Sequence, residues 1–126
     1  MKFILVFMVL MNLFSCTTSD PVGKSDFVIK NSRNMNIYYK YHLKDTNSYS
    51  GTINSMTSQT IQKDVLGPFG MHSKPDEIFI DIIIYSDAAK TVEIQKVDPI
   101  INSNWAQLTP TGKDYWEYSI YTLEIK

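Results

Sequence analysis

Apolar side chains recur at every second position through most of the chain from Asp26 onward, and that period confines what the chain can become. Successive side chains of a β-strand point to opposite faces, so a strict alternation describes a ribbon with one face in a core and the other toward water. Met35, Ile37, Tyr39, Tyr41 and Leu43 fall on one face of such a ribbon, with Asn36, Tyr38, Lys40 and His42 on the other. No window of helical length carries a comparable stripe at the helical period.

Other segments repeat the pattern. Asp26 to Asn31 alternates through Phe27 and Ile29, and Asn31-Ser32-Arg33-Asn34 has turn composition, which predicts a hairpin with the following strand. Glu77 to Tyr85 sets Ile78, Ile80, Ile82 and Ile84 on one face and Phe79, Asp81, Ile83 and Tyr85 on the other, β-branched enough for a central strand. Ser86 to Lys90 is short enough to join it as a hairpin to Thr91–Val97. The last run, Tyr115 to Ile125, changes parity: Trp116, Tyr118 and Ile120 give way to Tyr121, Leu123 and Ile125, which predicts a β-bulge near Ile120 or Tyr121. In the middle, Gly51–Ile53 and Thr60–Lys63 predict two short strands, with a short helix over Ser58–Leu66 as the alternative. Pro99, Asn102-Ser103-Asn104, Pro110 and Gly112 mark a long connection. Six or seven short strands in about 100 residues predict an all-β fold, an antiparallel β-sandwich.

The first residues obey another rule. Lys2 is followed by an uncharged apolar run from Phe3 to Met11, the pattern of a signal peptide. Asn12 and the polar Thr17-Thr18-Ser19-Asp20 interrupt it well short of the about 20 apolar residues that a membrane-crossing helix needs. Leu13-Phe14-Ser15-Cys16 resembles the lipobox of bacterial lipoproteins, with Phe14 bulkier than is usual at its place. The resemblance implies that residues 1–15 are cleaved, that the Cys16 thiol carries a diacylglyceryl group and that its new amine is acylated. Burial contributes ~0.8 kcal/mol per CH₂, so two or more acyl chains hold a protein stably on a membrane. Thr17 is not the aspartate that commonly retains lipoproteins at an inner membrane, which favours an outer membrane. Residues 16–25 then form a lipidated, flexible tether, and residues 26–126 the β-sandwich domain. Cys16 is the only cysteine, so the domain relies on packing and not on intrachain disulfides.

Over residues 26–126 the strand pattern also resembles the immunoglobulin-like sandwiches of small bacterial surface lipoproteins. Asp114, Tyr118 and Ile120 stand at the spacing of the aspartate, corner tyrosine and strand F cysteine of those domains, with Ile120 in the cysteine's place. A likeness of fold does not carry activity with it.

Charge and motifs narrow the function classes. The formal charge of −1 becomes −2 once Lys2 is lost with the signal, and the basic residues are scattered singly, so no stripe suits nucleic acid. His42 and His72 stand far apart without carboxylates at ligand spacing, which predicts no metal and no cofactor. Nucleophile elbows, phosphate loops and dinucleotide fingerprints are absent. Asp76 and Glu77 adjoin at the start of a strand, while Asp81 interrupts an apolar run, as a charge that discourages pairing near a sheet edge would. Among eight tyrosines and two tryptophans, Trp105 in a polar connection and Tyr38 on a polar strand face are the candidates for a binding surface, with core packing as the alternative role. The expectation is a non-enzymatic, lipid-anchored envelope domain that binds an envelope protein or glycan. A small hydrolase acting on envelope polymers is the alternative, and it requires Asp76, Glu77, Asp81 or His72 to converge around a cleft.

Overall fold

The computed structural model describes residues 23–67, 71–110 and 117–126. Within them the chain is an all-β sandwich, its elements in the order β1 (Gly23–Asn31), β2 (Ile37–Leu43), β3 (Ser48–Ile53), β4 (Ser58–Gly67), one helical turn α1 (Pro75–Ile78), β5 (Phe79–Tyr85), β6 (Glu93–Val97), β7 (Ala106–Leu108) and β8 (Glu117–Ile125). Sheet A has the order β4-β1-β8-β7 and sheet B the order β3-β2-β5-β6. All pairings are antiparallel except that of β1 with β8, which runs parallel over the whole length of both strands. Among the described residues there are thus eight strands and a mixed sheet, where the sequence pattern leads to six or seven antiparallel strands. The additional strand is β7, whose three residues are all exposed and show no alternation. Among the described residues no helix is long and apolar enough to cross a membrane.

Between the sheets lie Phe27, Ile29, Ile37, Tyr39, Tyr41, Leu43, Ile53, Phe79, Ile82, Ile84, Val97, Trp105, Tyr121, Leu123 and Ile125. Phe27 is the hub, stacked on Tyr121 with ring centroids 5.6 Å apart and meeting Phe79 and Trp105 edge-on. Each large side chain fully withdrawn from water contributes about 1.5–3 kcal/mol, so this interior is what holds a domain without disulfides.

Several expectations change in the folded chain. β1 and β2 do not form a hairpin, for they belong to different sheets. The turn-like Asn31 is instead a buried corner: its Nδ2 donates to the carbonyls of Met35, Ile53 and Asn54, and its Oδ1 accepts from the Arg33 N–H. One side chain thereby satisfies the backbone where the chain crosses between sheets. β1 begins at Gly23, which takes Gly23, Lys24 and Ser25 out of the expected tether and into a strand paired on both sides. Ser58–Gly67 is a strand, not a helix.

The isoleucine face is also displaced. Pro75–Ile78 makes a helical turn, and β5 buries Phe79, Ile82 and Ile84 while Ile80 stays half exposed, because the ladder with β2 slips between His42 and Leu43. Conversely, β8 has no bulge: its ladders with β1 and β7 run without a shift. The parity change near Ile120 arises because Tyr118, on the outer face of sheet A, is itself covered. Asp114, Tyr115 and Trp116 lie outside the described residues.

Candidate functional site

The outer face of sheet B follows directly from the alternation in β2 and β5. Cross-strand partners Tyr38 and Tyr85, Lys40 and Ile83, and His42 and Asp81 form three successive rows. β3 extends each row with Thr52, Ser50 and Ser48, and Lys96 of β6 lies opposite Ile83. Tyr38, Lys40, His42, Asp81, Ile83 and Tyr85 are all partly exposed. The result is a surface with two tyrosines at one end, an isoleucine between two lysines in the middle and a hydrogen-bonded histidine–aspartate pair at the other end. In that pair His42 Nδ1 lies 2.6 Å from Asp81 Oδ1, so the ring nitrogen donates to the carboxylate. β5 runs between β2 and β6, but its ladder with β6 begins only at Ile82, so Asp81 stands just past the end of that ladder and its carboxylate is met by the cross-strand histidine of β2.

A second polar cluster stands where the segment before α1 meets β8. His72 Nε2 lies 2.7 Å from the Tyr121 hydroxyl, the Glu117 carboxylate abuts Nδ1, and the Gln107 amide donates to Ser119 Oγ at 3.1 Å beside them. The Tyr121 hydroxyl and the Glu117 carboxylate thus stand at the two ring nitrogens of His72. The His72 side chain is thereby largely withdrawn from water, being 14% exposed. Burial pushes its pKa down and the Lys74 charge adds to this, against a smaller opposing effect of Glu77. Burial pushes Tyr121 up, reinforced by the charges of Glu77 and Asp76. Asp76 and Glu77 act here only through space: the Asp76 N–H is held by Asn102, and Glu77 caps its own helical turn by accepting from the Lys74 N–H. Asp81 is taken up by His42, whereas His72 and Tyr121 lie near enough to Glu77 to feel its charge. Among the described residues no cluster of His, Cys, Asp and Glu could hold a metal ion.

On the outer face of sheet A, Lys24, Asp26 and Tyr118 are each at least nine-tenths buried. Lys24 Nζ pairs with Asp64 and sits 4.5 Å from the centre of the Tyr118 ring. Asp26 accepts from the Tyr118 hydroxyl at 2.6 Å and from the Asp64 N–H at 2.8 Å. Burial, then the hydrogen bond to Asp26, pushes Tyr118 up to about 12. The Asp64 hydrogen bond raises Lys24, and the Lys24 bond lowers Asp64. This network closes the start of β1 onto β4 and β8.

The residues singled out from sequence separate. Trp105 is a core residue, 4% exposed and stacked on Phe79 at 5.7 Å, and it cannot serve as an external platform. Its polar surroundings in sequence mislead because the 3₁₀ turn Asn102–Asn104 drives it inward just before β7. Tyr38 is on the outer face, with Tyr85 as its partner. Cys16 lies outside the described residues. Sequence does not single out Tyr85, Glu117 or Tyr121 as site residues: each acquires its neighbours only through strand register, and the sole local hint is the parity change in β8. No family model, no curated protein and no solved structure matches the chain.

Proposed function

We propose that the chain is a lipid-anchored protein of a bacterial cell envelope, held through acylated Cys16 on an outer membrane where the cell has one, and that its sandwich binds an envelope protein or glycan without catalysis. The observation that carries this reading is the Tyr38–Tyr85 pair on the partly exposed outer face of sheet B, continued by Ile83 between Lys40 and Lys96. Tyrosines present a large, stiff contact area with a hydroxyl at its rim, and such residues dominate binding energy at interfaces. The paired lysines suit an acidic protein surface or an anionic glycan.

The anchor is tested by metabolic labelling with a fatty acid: Cys16→Ser should abolish labelling and membrane retention, and full labelling of that variant would remove the anchor from the proposal. The surface is tested by affinity capture from solubilised envelope with the wild-type protein, Tyr38→Ala and Tyr85→Ala, after circular dichroism has shown each variant to be folded. Both variants should lose the captured partner at least tenfold. A partner retained by both rejects this face, and turnover of an envelope polymer by the same preparations would replace binding with hydrolysis.

A further inference from the structure

Among the described residues the sandwich has four edge strands, β4, β7, β3 and β6, and they are not equally guarded. β4 carries Lys63 and Asp64, the latter with φ near 57°, and its ladder with β1 is broken by register shifts. β6 carries Glu93 and Lys96, both exposed, and β7 is only three residues long. Each of these is a recognised way of discouraging another strand from adding to an edge. β3 has none of them. Ser48-Tyr49-Ser50-Gly51-Thr52-Ile53 has no charge and no proline, and pairs with β2 without a shift. From Ser48 to Thr52 it is exposed apart from the half-buried Gly51.

We propose that β3 pairs antiparallel with β3 of a second copy of this chain, about a two-fold axis at Ser50. Residues opposite one another in an antiparallel ladder must share a face, so a self-pairing strand meets itself in a register that preserves parity. About Ser50 that register sets Ser50 against Ser50, Tyr49 against Gly51 and Ser48 against Thr52. The outer face then pairs hydroxyls with hydroxyls, a favourable cross-strand combination. On the other face the bulky Tyr49 meets a residue without a side chain. A Cβ on Gly51 would lie 2.5 Å from the Tyr39 hydroxyl, so any side chain there would have to displace the Tyr39 ring. Tyr49 already stacks on Tyr41 at 5.4 Å, and Tyr41 on Tyr39 at 5.8 Å. Across Gly51 the partner's tyrosine row continues that of the first copy.

The pairing does not depend on what the outer face of sheet B binds, but it joins two such faces into one eight-stranded surface. Five residues a side bury far less than the roughly 1,200 Å² of a stable complex, so the dimer is weak, and its accumulation on a membrane rests on the proposed Cys16 anchor, which fatty-acid labelling checks separately.

Directly opposed residues of a ladder have Cα atoms about 4.5–5.5 Å apart, within disulfide reach, whereas Thr52 would lie roughly 14 Å from its own counterpart. The full chain carrying Ser50→Cys, expressed in bacteria and mildly oxidised in isolated membranes, should therefore give a reducible band of twice the monomer mass. Thr52→Cys and the wild type, which reports any background from Cys16, should give at most one tenth as much. Equal cross-linking of Ser50→Cys and Thr52→Cys would overturn the register, absence of a Ser50→Cys dimer would overturn the pairing, and cross-linking to a different mass would assign the edge to a foreign strand.

Discussion

The outer faces of the two sheets grow from the same alternation and reach opposite states. On sheet A the outward positions at the start of β1 and β8, Lys24, Asp26 and Tyr118, are sealed in a network of charges and hydrogen bonds. On sheet B the outward positions of β2 and β5 named above stay partly exposed, and the hydrogen-bonded pair of His42 with Asp81 meets solvent. An outward position in a strand pattern is therefore only a direction: neighbours decide whether it becomes surface. In sheet A the decision comes from Asp64, whose positive φ at an irregularity of the β4 ladder turns its N–H and carboxylate back toward β1. Among the described residues nothing comparable folds over the outer face of sheet B.

The strongest way to break the inside–outside assignment of sheet B is to place the same charge at two consecutive residues of β5. Ile82 is fully buried. Ile82→Asp strands a carboxylate in the core at a cost of several kcal/mol, against a total stability of about 5–15 kcal/mol, and the protein should unfold or aggregate. Ile83→Asp puts the charge between Lys40 and Lys96 on the outer face and should shift the melting temperature by only a few degrees. Equal effects of the two substitutions would mean that β5 is covered on both sides.

A smaller loss separates the two polar networks. Asp26→Ala leaves the Tyr118 hydroxyl and the Asp64 N–H without their acceptor and removes a counter-charge from buried Lys24, which should cost about 3 kcal/mol in urea unfolding. Asp81→Ala, at a partly exposed pair, should cost less than about 1 kcal/mol. If the second exceeded the first, the contrast between the faces would be reversed.

The fold was legible where burial follows period two, and illegible where a single contact overrides it. β2 buries Ile37, Tyr39, Tyr41 and Leu43 as the alternation demands, and the β5–β6 hairpin follows from its short connection. The parallel partnership of β1 and β8 joins the two ends of the domain and has no local signal. The slip at Leu43 that exposes Ile80 is set by pairing, not by composition. The site was legible by halves. Tyr38 lies where its strand face indicates, but Tyr85 becomes its partner only through register, and Trp105 enters the core because a 3₁₀ turn redirects a loop that reads as polar.

Alkaline titration sharpens the sealed side of the comparison. Tyr118 ionises at about 12 in the folded chain and near 10 when unfolded, so its contribution is complete below pH 10 and is lost as pH rises toward 12. Lys24, held charged by Asp64, acts in the same direction. Between pH 10 and 12 the protein should lose on the order of 1–3 kcal/mol of stability. In Tyr118→Phe the slope should diminish without vanishing, because Tyr39, Tyr41 and Tyr121 are also raised by burial. An unchanged slope in that variant would place Tyr118 in contact with water.

The least effect is expected at the His42–Asp81 pair. The contact is short, but the His42 side chain is 38% exposed. Cross-strand ion pairs in such positions couple by about 0.2–1 kcal/mol, because solvent screens the charges and ordering two side chains costs entropy. A double-mutant cycle of His42→Ala and Asp81→Ala should fall within that range and shrink further in 1 M salt, where screening reaches within about 3 Å. A coupling of 2 kcal/mol or more that survives salt would describe a rigid, desolvated dyad with an oriented imidazole. Such a dyad would favour the hydrolase alternative over the proposed binding surface.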